Sequence, residues 1–185
     1  MNKFIKWQNQ ESSLRKRLLF LGLGALVFPI SIPAVLIIVL PQVDKMIGIG
    51  SFFIGYVNII IGIIAIIFGG FLALWTIFAQ IKLASGSPFP MIPTKKLIIF
   101  GPFKYCRNPM TLGTIMVYSG IVVMIGSYTA LLLVVLFTFM LIAYIKLIEE
   151  KELELRFGKE YLDYKNDTPF IIPVSIVTVK RYINN

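Results

Sequence analysis

A chain of 185 residues in which 57% are hydrophobic and only 15% charged, with a mean hydropathy of +0.84, is too apolar in runs too long for a soluble domain; its composition places it in a bilayer. The single cysteine, Cys106, excludes an intrachain disulfide, and the absence of histidine removes the commonest proton-transfer group and the commonest metal ligand, so no metal is expected. The net charge of +9 fits basic residues gathered at anionic headgroups, without the basic and aromatic interleaving of an RNA reader, which excludes nucleic acid as a partner.

Residues 1–17, MNKFIKWQNQESSLRKR, set Phe4 and Trp7 among basic side chains and read as an interfacial tail. The apolar run 18–40 is too long for a cleaved signal and ends in no small-x-small site, so it reads as a retained transmembrane helix, kinked at Pro29 or Pro33. A loop, PQVDKMIGIG, carries one charge of each sign. Residues 52–83 form a second span, in which Gly62, Gly69 and Gly70 permit close helix packing in lipid. The segment KLASGSPFPMIPTKKLIIFGPFKYCRNPM is basic and lacks any acid. It leads into a third span over 111–126 and a fourth over 128–148, joined by a tight hairpin at Gly126 and Ser127.

Four spans put the three segments richest in Lys and Arg (N-tail, 82–110 loop and C-tail) on one side of the membrane. The positive-inside bias makes that side cytoplasmic, with both termini there. The architecture expected is an all-α integral membrane protein of four transmembrane helices with a cytoplasmic C-terminal amphipathic helix. No acid or base lies in the middle of an apolar span, which argues against a transporter.

Two polar clusters then emerge at one surface, because the hairpin of spans three and four returns the chain to where it entered. In GPFKYCRNPM, Pro102 and Pro109 fix the backbone, Gly101 allows an unusual turn, and Asn108 is pushed toward an extended conformation by the following proline. Arg107 and Asn108 are thereby held just before a helix N-terminus, where free N–H groups and the dipole favour a carboxylate or phosphate that Arg107 can grip. Lipid phosphate is the simpler partner for that arginine. In EEKELELRFGKEYLDYKNDTPFIIP, Leu153, Phe157, Tyr161 and Tyr164 recur on one helical face, and Glu152 and Arg156 form an i,i+4 pair. Glu149 and Glu150 mark the point where the fourth span leaves the bilayer, either as a solvated helix end balancing nearby cations or as acceptors for a ligand diol or amine.

The segments GSPFPMIPTKKLIIFGPFKYCRNPMTLG and EEKELELRFGKEYLDYKNDTPFIIP together resemble the isoprenylcysteine carboxyl methyltransferase family and its phospholipid methyltransferase relatives, over roughly residues 85–173. The first two spans match it only as generic membrane helices. The resemblance makes residues 84–185 the methyltransferase-like region, behind an interfacial tail (1–17) and two N-terminal helices (18–83). It implies S-adenosylmethionine as cofactor and a lipophilic or lipidated acceptor met in the membrane.

By the same resemblance Arg107, Asn108 and Pro109 lie near the amino-acid end of the cofactor, and Glu149 or Glu150 holds the ribose hydroxyls or adenosine. Tyr161 and Tyr164 close over it, and Tyr105 and Leu112 complete the cofactor-binding set; Arg107, Asn108 and Glu150 are the residues implied for catalysis. Two positions depart from the family pattern: Asn108 replaces a histidine, and Phe170 replaces a basic residue. Without a histidine, an acceptor that arrives ionised, a carboxylate or thiol, is favoured over an amine, which must first lose a proton. An amine N-methyltransferase and a non-catalytic membrane scaffold are the alternatives.

Overall fold

The computed structural model describes residues 27–84 and 97–172; the N-tail, the start of the first span, the proline-rich stretch 85–96 and the end of the C-tail lie outside the described residues. Five helical segments account for most of the remainder: α1 (27–46), α2 (Tyr56–Ala84), α3 (Pro109–Ile125), α4 (Tyr128–Phe157) and α5 (Lys159–Asp167), with no strand among the described residues. Three of these helices are long and apolar enough to cross a membrane, and the shorter apolar α3 is packed among them. The protein is thus an all-α membrane protein.

The first helix departs from expectation at its end. It runs on to Met46 rather than stopping at residue 40, through Pro33 and Pro41, and wide π turns at Val27–Ser31 and Val35–Val39 precede those two prolines. A proline removes one N–H from the ladder, and a widened turn lets the remaining groups pair without ending the helix.

Helices α2 and α3 pack antiparallel along a seam of small residues. A Cβ on Gly69 would lie 2.6 Å from the carbonyl oxygen of Gly113, and one on Gly113 would lie 2.6 Å from that of Gly69. Two turns away the same reciprocal contact joins Gly62 and Gly120, at 2.6 and 2.7 Å. Lipid tails are as apolar as leucine, so close backbone approach and dispersion, rather than hydrophobic burial, hold two such helices together. Of the three glycines expected to pack, Gly62 and Gly69 do; Gly70 faces open space.

A small apolar core, Leu36, Tyr118, Val122, Ala130 and Val134, joins α1, α3 and α4. At the hairpin end, Asp44 is buried and accepts hydrogen bonds from the Ser127 hydroxyl (2.6 Å) and the Thr129 N–H (3.0 Å). The carboxylate, in the last turn of α1, therefore satisfies a first-turn donor of α4 and faces its positive dipole end without any ligand. Ser51 and Phe52 close the same corner through bonds of 2.8 and 2.9 Å to the Gly126 carbonyl.

Helix α4 is 30 residues long, about 45 Å at 1.5 Å per residue, so its last turns project past a hydrocarbon core of about 30 Å. A π turn over Ile145–Glu149 precedes that projecting end. The amphipathic tail is two helices rather than one: Gly158, with φ +54°, breaks the chain between Phe157 and Lys159, in a conformation that a side chain would strain. The Glu152–Arg156 pair forms as expected, at 3.6 Å.

Candidate functional site: a buried charge network at the end of the bundle

The loop before α3 is stiff for visible reasons. Gly101, with φ +62°, starts a tight turn over Gly101–Lys104, and Pro102, Cys106 and Pro109 are all fully buried beneath it. Pro109 begins α3, where its missing N–H costs nothing. No side chain caps this helix: Asn108 occupies the cap position, but its amide points elsewhere.

It points to the C-terminal strap. Asn108 Nδ2 donates to the Phe170 carbonyl (2.9 Å), the Arg107 N–H donates to the Pro169 carbonyl (2.9 Å), and the Tyr164 hydroxyl donates to the Phe103 carbonyl (2.7 Å). Three bonds between residues some sixty positions apart bring the 101–109 loop and the 149–170 tail into one site, the juxtaposition that the hairpin topology predicts.

Four charged side chains meet beneath that strap. Arg107 Nη1 lies 2.7 Å from Glu150 Oε1, and Lys165 Nζ lies 2.8 Å from Glu150 Oε2 and 2.7 Å from Glu154 Oε1. The Arg107 and Glu150 side chains retain only 11% and 7% of their exposure, so this pair is buried and Lys165 is its wetter flank. Hydrogen bonds to Glu150 and then Glu154 hold the Lys165 ammonium above its usual pKa range. Tyr161 is buried beside Arg107, and burial, aided by the Glu150 charge, pushes its phenol up to about 12.

The expected site residues divide accordingly. Arg107, Asn108, Pro109, Glu150, Tyr161 and Tyr164 are brought together. Leu112 stands in the first turn of α3, its N–H bonded to the Asn108 carbonyl. Glu149 is half-buried at the end of the π turn, and none of the ion pairs among the described residues involves it. Tyr105 instead turns outward, 45% exposed, with its ring 6.1 Å from Trp75 of α2. Phe170 has a role that its departure from the family pattern concealed: its ring lies 5.6 Å from the Arg107 guanidinium and 5.0 Å from the Lys146 ammonium, a cation–π contact with each.

Lys165 is the participant that sequence reasoning missed. On one continuous helix Glu154 and Lys165 would stand eleven residues, about 16 Å, apart; only the break at Gly158 folds them together. Thr168 was missed as well. It is 3% exposed and, among the described residues, its hydroxyl has no hydrogen-bond partner, nor has Arg107 Nε, while the short Arg107–Glu150 contact is not aligned as a hydrogen bond.

Unsatisfied buried donors of this kind cost about 1–3 kcal/mol each and mark places where a ligand finds ready partners. An uncapped helix N-terminus, an arginine edge and a hydroxyl suit a carboxylate or phosphate. A second acid and aromatic faces suit hydroxyls and a cation. The donor set therefore fits S-adenosylmethionine, which carries a carboxylate, an ammonium, a diol and a sulfonium.

Cys106 takes no part in this chemistry. It is 2% exposed, and burial pushes its thiol from 9.0 up to about 11. At pH 8 the thiolate fraction falls about a hundredfold below that of a free cysteine. Maleimide is therefore expected to leave Cys106 unmodified in the folded protein at pH 7–8 and to label it fully after denaturation; rapid labelling of the folded form would contradict the burial.

No curated protein and no solved structure shows significant similarity to the chain. The model of the phospholipid methyltransferase family, in contrast, matches residues 57–160, more than half of the chain. It takes in α2, which resembled the family only as a generic membrane helix, and stops short of Lys165, Thr168 and Phe170. With that match laid over the bundle and its polar end, the chain belongs to the phospholipid methyltransferase family of membrane methyltransferases.

Proposed function

We propose that the protein transfers a methyl group from S-adenosylmethionine to a lipophilic acceptor that reaches the site from the bilayer, while the cofactor enters from the cytoplasm. The observation that carries this reading is the buried Arg107–Glu150–Lys165 network held against the uncapped N-terminus of α3. The lysines and arginines of the loop and the two tails, by the positive-inside bias, support a cytoplasmic position for this end of the molecule and for both termini.

When bound, the cofactor supplies a methyl carbon already activated by its sulfonium, so the chain needs chiefly to orient two reactants and exclude water. Arg107 holds the amino-acid carboxylate by its free Nε edge. Both carboxylate oxygens of Glu150 are within ion-pair distance of cations, which makes Glu150 a positioning residue for Arg107 rather than the acceptor of the ribose hydroxyls. Glu149, which pairs with no cation among the described residues, takes the hydroxyls. Asn108 ties the strap to the loop, and Tyr161 presents its ring beside the arginine.

The acceptor favoured by a site without histidine is a carboxylate of isoprenylcysteine type or a thiol, each arriving ionised or nearly so. A phospholipid-type amine is the second reading, favoured by the family match and by Glu149, an uncommitted acid able to take the proton. Incubating the protein in nanodiscs with methyl-labelled cofactor and isoprenylcysteine or aminophospholipid acceptors separates the readings. Label that alkali releases as methanol identifies a methyl ester, and alkali-stable label on the aminophospholipid identifies the amine. Absence of label from every lipophilic acceptor, with the cofactor bound, would contradict catalysis and favour a scaffold that retained the cofactor site.

A further inference from the structure

We infer that Thr168 is a binding residue, its hydroxyl completing with Arg107 Nε and the N-terminus of α3 a site for one carboxylate or phosphate group. The inference rests on the cofactor reading for the identity of the anion, though not for the existence of the site. Thr168 lies beyond the span matched by the family model, and no residue pattern in the sequence distinguishes it.

Three observations converge on it. The side chain belongs to a residue only 3% exposed, and its Oγ has no hydrogen-bond partner among the described residues. Arg107 Nε, also buried, has none either. The two residues are held within one position of a shared bond, because the Arg107 N–H donates to the carbonyl of Pro169, the residue after Thr168. The next bond, from Asn108 to the Phe170 carbonyl, fixes the same stretch against the cap residue of α3, whose own side chain makes no capping bond.

A threonine whose hydroxyl served the fold alone would cap something. Here the backbone makes the local bond, the Thr168 N–H donating to the Tyr164 carbonyl at 3.0 Å, and the hydroxyl is left over. Threonine in place of an isosteric valine is then a net cost to the fold unless a bound group uses the donor. Arg107 supplies charge and a second N–H, and the Lys146 ammonium, 5.0 Å from the Phe170 ring, adds positive potential nearby. Glu150 would repel an anion, but its charge faces Arg107 Nη1 and Lys165. The carboxylate of the cofactor and the phosphate of a lipid headgroup offer the same oxygens.

Thr168→Val and Thr168→Ser test this in the full chain, in detergent. Each is titrated with S-adenosylmethionine, with its decarboxylated analogue, and with a short-chain phosphatidate, and each is melted without ligand. Thr168→Val is expected to melt no lower than the parent and to lose about tenfold in affinity for whichever anion the site takes, with Thr168→Ser retaining it. If the loss appears with the intact cofactor and is absent with the decarboxylated one, the anion is the cofactor carboxylate. If the parent binds phosphatidate and not the cofactor, and only phosphatidate binding falls, the site stands and the cofactor reading fails. Unchanged affinity for both anions in Thr168→Val, a parent that binds neither, or an affinity loss accompanied by a lower melting temperature would each overturn the inference.

Discussion

Glu150→Gln is expected to destabilise the protein by about 3–5 kcal/mol and to abolish high-affinity cofactor binding with it. The glutamate lies between two cations, 2.7 Å from Arg107 and 2.8 Å from Lys165, in a site where Arg107 keeps 11% of its exposure. Neutralising the acid leaves a buried guanidinium without its counter-charge. Lys165, at 33% exposure, retains Glu154 and access to water and loses less. Arg107→Ala should cost a similar amount, since it strands Glu150 with one partner. Removing both at once should cost no more than either alone, because the charges that were stranded leave together. Denaturant unfolding of the two single variants and the double, in one detergent, checks this. Costs that simply add would mean that the two side chains act independently and that the 2.7 Å contact carries no energy.

Gly113→Leu is expected to be the most damaging substitution within the bilayer. Its Cβ alone would stand 2.6 Å from the Gly69 carbonyl oxygen and 2.8 Å from the Ala73 nitrogen, both backbone atoms that no rotamer change can move. Separating the helices enough to admit the side chain gives up the dispersion that holds α2 to α3, and overpacking of this kind costs about 1–3 kcal/mol or more. Because α3 begins at Pro109, its displacement also shifts Arg107 and Asn108, so binding should fall along with stability. Gly70→Leu is the control: open space surrounds Gly70, and the same substitution there should leave melting and binding unchanged. Equal behaviour of the two variants in thermal melting would refute the seam.

Most of the bundle was legible because membrane spans announce themselves by length and hydropathy, and the hairpin by Gly126 and Ser127. The end of α1 was not. Pro41 and Asp44 read as loop, yet a π turn carries the helix past the proline, and Asp44 caps α4 across the hairpin through Ser127 and Thr129. The site was legible as two polar clusters with one destination. Its wiring was not, since the bonds that assemble it run from Arg107 to Pro169, from Asn108 to Phe170 and from Tyr164 to Phe103, and a backbone carbonyl leaves no trace in residue type. Periodicity ran Leu153 to Tyr164 on one face and so passed over Gly158, the residue whose positive φ brings Lys165 back to Glu150. Tyr105 was grouped with Arg107 by its place in the motif, but two residues along a turn are enough to face it toward Trp75 instead.

The central claim is that this end of the bundle holds S-adenosylmethionine through Arg107. Titration calorimetry of the cofactor into the detergent-purified protein, beside Arg107→Ala, tests it most directly. Saturable binding that Arg107→Ala weakens at least about tenfold, with the decarboxylated cofactor losing far less, is the result predicted. A parent protein that melts cooperatively and yet takes up no cofactor would contradict it.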